Sequence, residues 1–269
     1  AKRIVDAGYK EIVITGVNSG DFGAGTDHNF FDLLQELVKV DGMQRIRVSS
    51  IEPNLLHDEI IHFISESPIM QPHFHIPMQS GSDKMLRLMR RKYLTDLYAH
   101  RVHLIKKLMP EACIGADVIT GHPGEEDRYF EETKSFIESL PLSYLHVFTY
   151  SERPNTRAIS MKGQIPKALR KERTHILRRL SDSKRYAFNT PFEGQTRSVL
   201  FEGKSDGTHT EGWTDNYIRV KVPFNPALEN QIVKVPLERY QASEQVYYSK
   251  ITDQQLLEDL VIQSLVEEL

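Results

Sequence analysis

Five short segments carry the side chains that could do chemistry. Gly16-Val17-Asn18 sets a residue without a side chain beside an amide. Glycine lets a backbone come close to a ligand, and an amide both donates and accepts, although an ordinary turn would use the same residues. His75-Ile-Pro-Met-Gln79-Ser80-Gly-Ser82 places an amide and a hydroxyl just ahead of a helical pattern. That position suits a carboxylate or a ribose hydroxyl, while helix capping by Ser82 is the structural alternative. Asp117 lies inside an apolar run that ends in Gly121-His-Pro-Gly-Glu125, where its carboxylate faces either a ligand or solvent. Glu125 and Glu126 suit the first turn of a helix, where acidic groups oppose the positive end of the dipole, and read as structural. Residues 49–52 and 149–153 are the other two polar segments, the latter containing Ser151 and Arg153. His73, His75, His122 and His146 lack the spacing of a local zinc motif, so no metal site is expected from them. There is no GxSxG, Walker loop or HExxH, which leaves a hydrolase or kinase reading without support. The one cysteine, Cys113, reads as a small buried apolar residue and excludes a disulfide framework or a multi-cysteine metal site built by these residues alone.

The elements that must position these segments follow from periodicity. Strand-like runs at 10–17, 45–51, 73–78, 113–120 and 144–150 alternate with helical patterns at 1–8, 30–40, 55–64, 80–108 and 125–140. Ser82 or Asp83 is expected to cap the long helix at 80–108. Alternation of this kind predicts an α/β fold with a parallel sheet, either doubly wound or barrel-like. In both forms ligands meet the C-terminal ends of the strands, which is where the five polar segments fall. After Arg153 the alternation stops. One long helix is predicted over 165–188, followed by short strands at 196–202, 213–222, 231–237 and 245–251 that suggest a small all-β barrel or sandwich. An acidic stretch with helical spacing closes the chain at 252–269.

The chain has 269 residues, with 39% hydrophobic and 26% charged, the composition of a globular protein. Its length suits one large domain or two smaller ones, and no run approaches the ~20 apolar residues of a membrane span. Neither a signal peptide pattern nor paired cysteines are present, so a reducing, cytoplasmic setting is expected, with no membrane partner. The start at Ala1, inside a helix-like stretch, reads as a start within a domain.

A net charge of −3 conceals an asymmetry, because residues 157–190 hold ten basic and two acidic groups. Such a stripe is either a footprint for phosphates or a solvated helix face paired with acidic flanks. In Gly-Trp213-Thr-Asp-Asn-Tyr217-Ile-Arg219-Val-Lys221-Val, the aromatic and basic residues take odd positions, so a single strand would present them on one face. Oligonucleotide-binding barrels stack bases and hold phosphates on such a face, and a plain solvent face is the alternative.

Together these segments resemble the radical S-adenosylmethionine (SAM) methylthiotransferases. The matching residues are GYKEIVITGVNSGDFG (8–23), HFHIPMQSGSDKMLRLMRRKY (73–93), DVITGHPGE (117–125), HVFTYSERPNT (146–156) and EGWTDNYIRV (211–220). The forms at 75–83 and 146–156 look most like the branch acting on N6-threonylcarbamoyladenosine beside the tRNA anticodon, with the isopentenyladenosine branch as the close alternative. Asn155 and His122 depart from the residues common in the family, Gly and Phe. The resemblance implies most of a radical SAM partial barrel at 1–156, a basic linker helix at 157–190 and an RNA-binding TRAM domain at 191–251. It implies SAM and two [4Fe–4S] clusters in the complete protein, whose ligands lie in segments absent from 1–269. No cluster is therefore expected on this chain, which by itself should be inactive. Asn18, Gln79, Ser80 and Asp117 are implied for the SAM pocket, and Ser151 and Arg153 for cofactor or substrate base. Arg178, Arg179, Lys184, Arg185, Trp213, Tyr217, Arg219 and Lys221 are implied for tRNA, with no DNA partner. Two other readings compete with the catalytic one: a tRNA-binding module without chemistry, and a domain that docks on a protein through the acidic tail.

Overall fold

Five strands run parallel in the order of the chain: β1 (Glu11–Ile14), β2 (Arg45–Val48), β3 (Met70–His75), β4 (Cys113–Thr120) and β5 (Tyr144–Thr149). The computed structural model describes residues 1–16 and 19–252, and Asn18 and the acidic tail from 253 lie outside them. Helices α1 (Lys2–Asp6), α2 (Phe30–Leu37), α3 (Asp58–Glu66), α4 (Asp83–Leu88), α5 (Thr95–Leu108) and α6 (Asp127–Ser139) fill the connections. Strict sequential order decides between the two α/β forms. A doubly wound sheet reverses its strand order, whereas right-handed crossovers without reversal put every helix on one face and leave the other concave. The protein is thus an open, barrel-like parallel sheet, with one edge of β1 unpaired among the described strands.

Side-chain alternation separates the two faces. Ile46, Val48, Phe74, Ile114, Ala116, Val118, Leu145 and Val147 pack under the helices in the larger core. Arg45, Arg47, His73, His75, Cys113, Asp117, Tyr144 and His146 fall at the alternate positions and line the concave face. A Cβ at Gly115 would come within 2.2 Å of the Tyr144 ring, so glycine there lets that ring lie across the neighbouring strand.

The helix expected over 80–108 is two helices. Arg90 adopts φ 57°, and Asp83 Oδ1 accepts from the Thr95 backbone N–H (3.0 Å) and from its hydroxyl (2.8 Å), tying the start of α4 to the start of α5. Ser82 stands at the α4 N-terminus without capping it, because its hydroxyl donates to Glu132 of α6.

Helix α7 (Lys167–Asn189) crosses β5 and leads to a six-stranded sheet in the order β10-β11-β8-β7-β6-β9. Its strands are β6 (Thr196–Ser205), β7 (His209–Thr214), β8 (Arg219–Pro223), β9 (Ile232–Pro236), β10 (Arg239–Gln241) and β11 (Val246–Tyr248). They curl around a separate core that includes Val199, Phe201, Val220, Val233, Val235 and Tyr247. The run expected as one strand over 213–222 is instead a hairpin. Thr214 Oγ1 accepts from the Ile218 N–H (2.8 Å) and donates to Asn216 Oδ1 (2.7 Å), and Tyr217 takes φ 64°. Trp213 faces Arg219, and Glu211 faces Lys221, across the two strands. Trp213, Arg219 and Lys221 therefore share a face through cross-strand pairing, with Glu211 among them, while Tyr217 sits in the turn. Among the described residues, no helix is long and apolar enough to cross a membrane.

Candidate cofactor cavity at the strand ends

A cavity of about 730 Å³ opens at the C-terminal ends of β4 and β5, lined in part by Gln79, Arg91, Asp117, His122, Ser151 and Arg153. Each is placed by a local feature of the chain. Gln79 adopts φ 64° directly after the Pro77 segment. Its backbone N–H donates to the Asp117 carbonyl (2.7 Å) and its carbonyl accepts from Ile119 (2.9 Å), which clips the segment to β4 as an extra bridge. Ser151 and Arg153 extend beyond β5 and are exposed.

Asp117 sits at the floor, where His75 Nε2 lies 2.9 Å and His146 Nδ1 lies 3.4 Å from Oδ1. Burial alone would raise this carboxyl, but hydrogen bonds from His146 and His75 outweigh it and hold the group well below the usual carboxylate range. Asp117 is therefore a carboxylate at neutral pH. The phenol of Tyr150, which also lines the cavity, and Nε of Arg91 are buried without a hydrogen-bond partner.

The expected residues divide. Gln79, Asp117, Ser151 and Arg153 meet in the cavity lining. Ser80 does not: it is 1% exposed, and its hydroxyl pairs with Thr133 Oγ1 (3.0 Å) behind the strand end. Arg91, which falls inside the helix expected over 80–108, lies in the break after α4 and pairs with Glu52 at 3.0 Å. Periodicity could not show this, because the helix pattern runs straight through a backbone that reverses at Arg90.

The basic stripe also divides. Arg178 and Arg179 are exposed, and Arg178 reaches the cavity rim. Arg170 and Arg173 are buried in ion pairs with Glu152 (2.8 Å) and Glu125 (2.7 Å). Lys184 Nζ donates to the Leu140 carbonyl (2.7 Å), and the Arg185 guanidinium lies 4.5 Å from the centre of the Tyr144 ring. In the hairpin, Tyr217 stacks between Trp213 (4.5 Å) and His73 (4.0 Å), against the concave face of the parallel sheet. Arg219 pairs with Glu211, and Lys221 is buried 3.3 Å from the same carboxylate.

A cavity of this size matches those that hold drug-sized ligands. A carboxylate, a carboxamide, hydroxyls and guanidinium groups together fit a molecule carrying an amine, a carboxylate and ribose hydroxyls, and the two orphaned polar atoms supply further partners. The donor set fits SAM. It does not fit an iron–sulfur cluster, because Cys113 is 2% exposed and burial pushes its thiol up to about 11.

A singly wound parallel β/α sheet with a polar cavity at its strand ends defines the class: an open-barrel enzyme scaffold. Residues 1–137, just over half of the chain, match the family model described as the radical SAM superfamily. The chain belongs to that superfamily, an enzyme superfamily. It is 40% identical over 243 residues to a Bacillus subtilis protein named threonylcarbamoyladenosine tRNA methylthiotransferase MtaB, covering 88% of this chain and 54% of that one. Its identity to the Aquifex aeolicus protein of the same name is 36% over 221 residues, covering 82% and 52%. A Desulfitobacterium hafniense protein named tRNA-2-methylthio-N(6)-dimethylallyladenosine synthase is 32% identical over 241 residues, covering 88% and 54%. The chain spans about half the length of the curated relatives it matches.

Proposed function

We propose that these residues form the SAM-holding and tRNA-docking part of a cytoplasmic methylthiotransferase that acts on N6-threonylcarbamoyladenosine next to the anticodon. The cavity lined by Gln79, Asp117, Ser151 and Arg153 carries this reading. The higher identity to the Bacillus subtilis protein named for threonylcarbamoyladenosine (40%) than to relatives named for dimethylallyladenosine (31% to 36%) favours that nucleoside.

SAM, when bound and reduced by one electron, supplies hydrogen-abstraction chemistry at unreactive carbon. The chain's own residues bind and orient. The Asp117 carboxylate takes an ammonium or a pair of ribose hydroxyls, Gln79 fixes a second polar edge, and Arg91 or Arg153 takes a carboxylate. Asn18 is proposed for the same pocket, and Ser80 acts through the strand end it secures. Both clusters would draw their cysteines from residues beyond 1–269, since this chain has one. Anaerobic reconstitution of 1–269 with iron and sulfide is accordingly expected to leave no stoichiometric [4Fe–4S] absorbance and no methylthiolation. Cluster absorbance at one equivalent would refute this.

The TRAM reading of residues 191–251 and the basic stripe supply the RNA side. Arg153 and Arg178 present exposed charge at the cavity, and Arg179 is exposed on the same helix as Arg178. Lys184, Arg185, Trp213, Tyr217, Arg219 and Lys221 hold internal contacts, so their use by tRNA requires exchange of those contacts. The test is binding of SAM and of an anticodon stem-loop to 1–269. Asp117→Asn and Gln79→Ala should each weaken SAM at least tenfold. Stem-loop binding should fall with salt at a log–log slope of about −3 or steeper, and Arg178→Glu with Arg179→Glu should flatten it. SAM affinity unchanged by either cavity substitution would sink the cofactor reading. Stem-loop binding with no SAM binding would favour the non-catalytic RNA module.

A further inference from the structure

His75, Asp117 and His146 come from three adjacent parallel strands, which is why no local spacing betrays them. Each strand contributes one residue to the concave face: Asp117 is level with His146, and His75 is level with Gly115, the preceding position on that face. One ligand atom from each residue lies within 4.8 Å of the other two. Two of the separations are 2.9 Å and 3.4 Å. Ligands held about 2.0–2.1 Å from a common ion stand about 3.0 Å apart at octahedral right angles and about 3.4 Å apart in a tetrahedron. Both carboxylate–imidazole separations therefore fall in the range of ligands that share an ion, with the imidazole atoms within 4.8 Å of each other.

We propose that this trio binds one divalent first-row transition ion, of the zinc, cobalt or ferrous type. Two imidazoles and one carboxylate select such ions over magnesium or calcium, which take oxygen cages. The surroundings fit ligation as well. The Nδ1 of His75 lies 3.3 Å from the Tyr144 hydroxyl, the kind of outer hydrogen bond that orients a ligating imidazole, and its Nε2 faces Asp117. Asp117 is already ionised. Three protein ligands leave positions open, and these are accessible: Asp117 lines the large cavity, and His146 lines the adjoining recess beside Arg178 and Arg185. The open positions would take water, or a carboxylate or phosphate oxygen of a molecule in the cavity. The surrounding guanidinium groups favour such an anion, so that ion and anion bind together. This site shares Asp117 with the proposed SAM pocket, and metal titration is read without SAM, so either reading can fail alone.

The test is titration of 1–269 with Co²⁺ alone, read by its visible absorption, followed by displacement with Zn²⁺ in competition with a chromophoric chelator. One equivalent is expected. His146→Ala, at a half-exposed position, should weaken binding at least tenfold while the circular dichroism spectrum is unchanged. His75→Ala should do the same. No binding to the parent chain, or one equivalent that survives both substitutions, overturns the proposal.

Discussion

Replacement of Arg173 by alanine is expected to cost the folded chain about 3–5 kcal/mol, the loss that follows when one partner of a buried ion pair is removed. The side chains of Arg173 and Glu125 are 3% and 2% exposed, and their charged atoms lie 2.7 Å apart. The same guanidinium also donates to the Glu125 carbonyl (2.7 Å) and to Asp127 (2.6 Å). It therefore fixes α7 onto the turn that ends β4. Glu125 in turn accepts the Gly121 N–H (2.7 Å), where φ +74° and the Arg170 side chain against the α-carbon leave room for glycine alone. Without Arg173 a carboxylate stays buried with one backbone donor. Burial already raises the Glu125 carboxyl despite Gly121 and Arg173, and in the variant nothing cationic would oppose that rise. The sign of the pH effect follows. A carboxyl whose folded pKa lies above its unfolded value of about 4.3 takes up a proton on folding, so its penalty is full at neutral pH and shrinks as pH falls toward the unfolded value. Urea unfolding of Arg173→Ala should show a deficit at pH 7.5 that narrows at pH 5. A deficit below about 1 kcal/mol, or one independent of pH, would show that the pair is not what holds α7.

That pair also marks the limit of what sequence could show. Alternating strand and helix patterns gave the parallel sheet and the polar strand ends, because those patterns are local and follow from which face each residue buries. They could not choose between a doubly wound and a barrel-like form, since pairing order is a long-range property. The basic stripe was visible as ten positive charges among 34 residues, but composition does not say which guanidinium finds a carboxylate elsewhere in the fold. Arg170 and Arg173 do, and Arg178 and Arg179 remain at the surface. Glu125 was read correctly as structural but for the wrong reason, since it is a buried ion-pair partner and not a dipole-capping surface charge. The histidine–aspartate trio was invisible because its members lie 29 and 42 residues apart and meet only through strand pairing. Arg91 falls outside the helix expected over 80–108 because a single left-handed residue, Arg90, breaks a pattern whose hydrophobic spacing continues unbroken.

Arg47→Ala is expected to release the C-terminal β sheet from the concave face, at a similar cost of about 3–5 kcal/mol. Its side chain is 2% exposed, and Nε lies 2.9 Å from Glu11 Oε1, with Nη2 3.3 Å from Oε2, a two-toothed grip on a carboxylate only 12% exposed. The remaining donors cross to the other sheet, Nη1 to the Asp215 carbonyl (3.0 Å) and Nη2 to that of Thr214 (3.3 Å), with the Tyr217 ring 5.1 Å away. Arg45, two residues earlier on the same face, donates to the Ser198 carbonyl (2.9 Å) and hydroxyl (2.8 Å). Two parallel-sheet arginines thus add donors to backbone carbonyls of the β6 and β7 region, where Ser198 and Thr214 also accept the Asp215 and Tyr217 N–H groups and Asp215 accepts from Arg47. Alanine at 47 removes the hydrogen bonds to the Glu11 carboxylate, leaving Arg45 3.9 Å from it, and the Arg47 bond to the Asp215 carbonyl, and Lys at 47 would restore the charge without the fork. Because each sheet has its own core, the loss should separate their unfolding rather than unfold both together. Calorimetry of the parent should give one transition, Arg47→Ala two, and Arg47→Lys an intermediate profile. A single transition in Arg47→Ala, within about 1 kcal/mol of the parent, would mean that the Tyr217–His73 stack and Arg45 suffice to couple the two sheets. The same substitution bears on RNA binding. If tRNA reaches Trp213 and Tyr217 only when the hairpin lifts from His73, undocking removes that cost, and stem-loop affinity should rise in Arg47→Ala while stability falls.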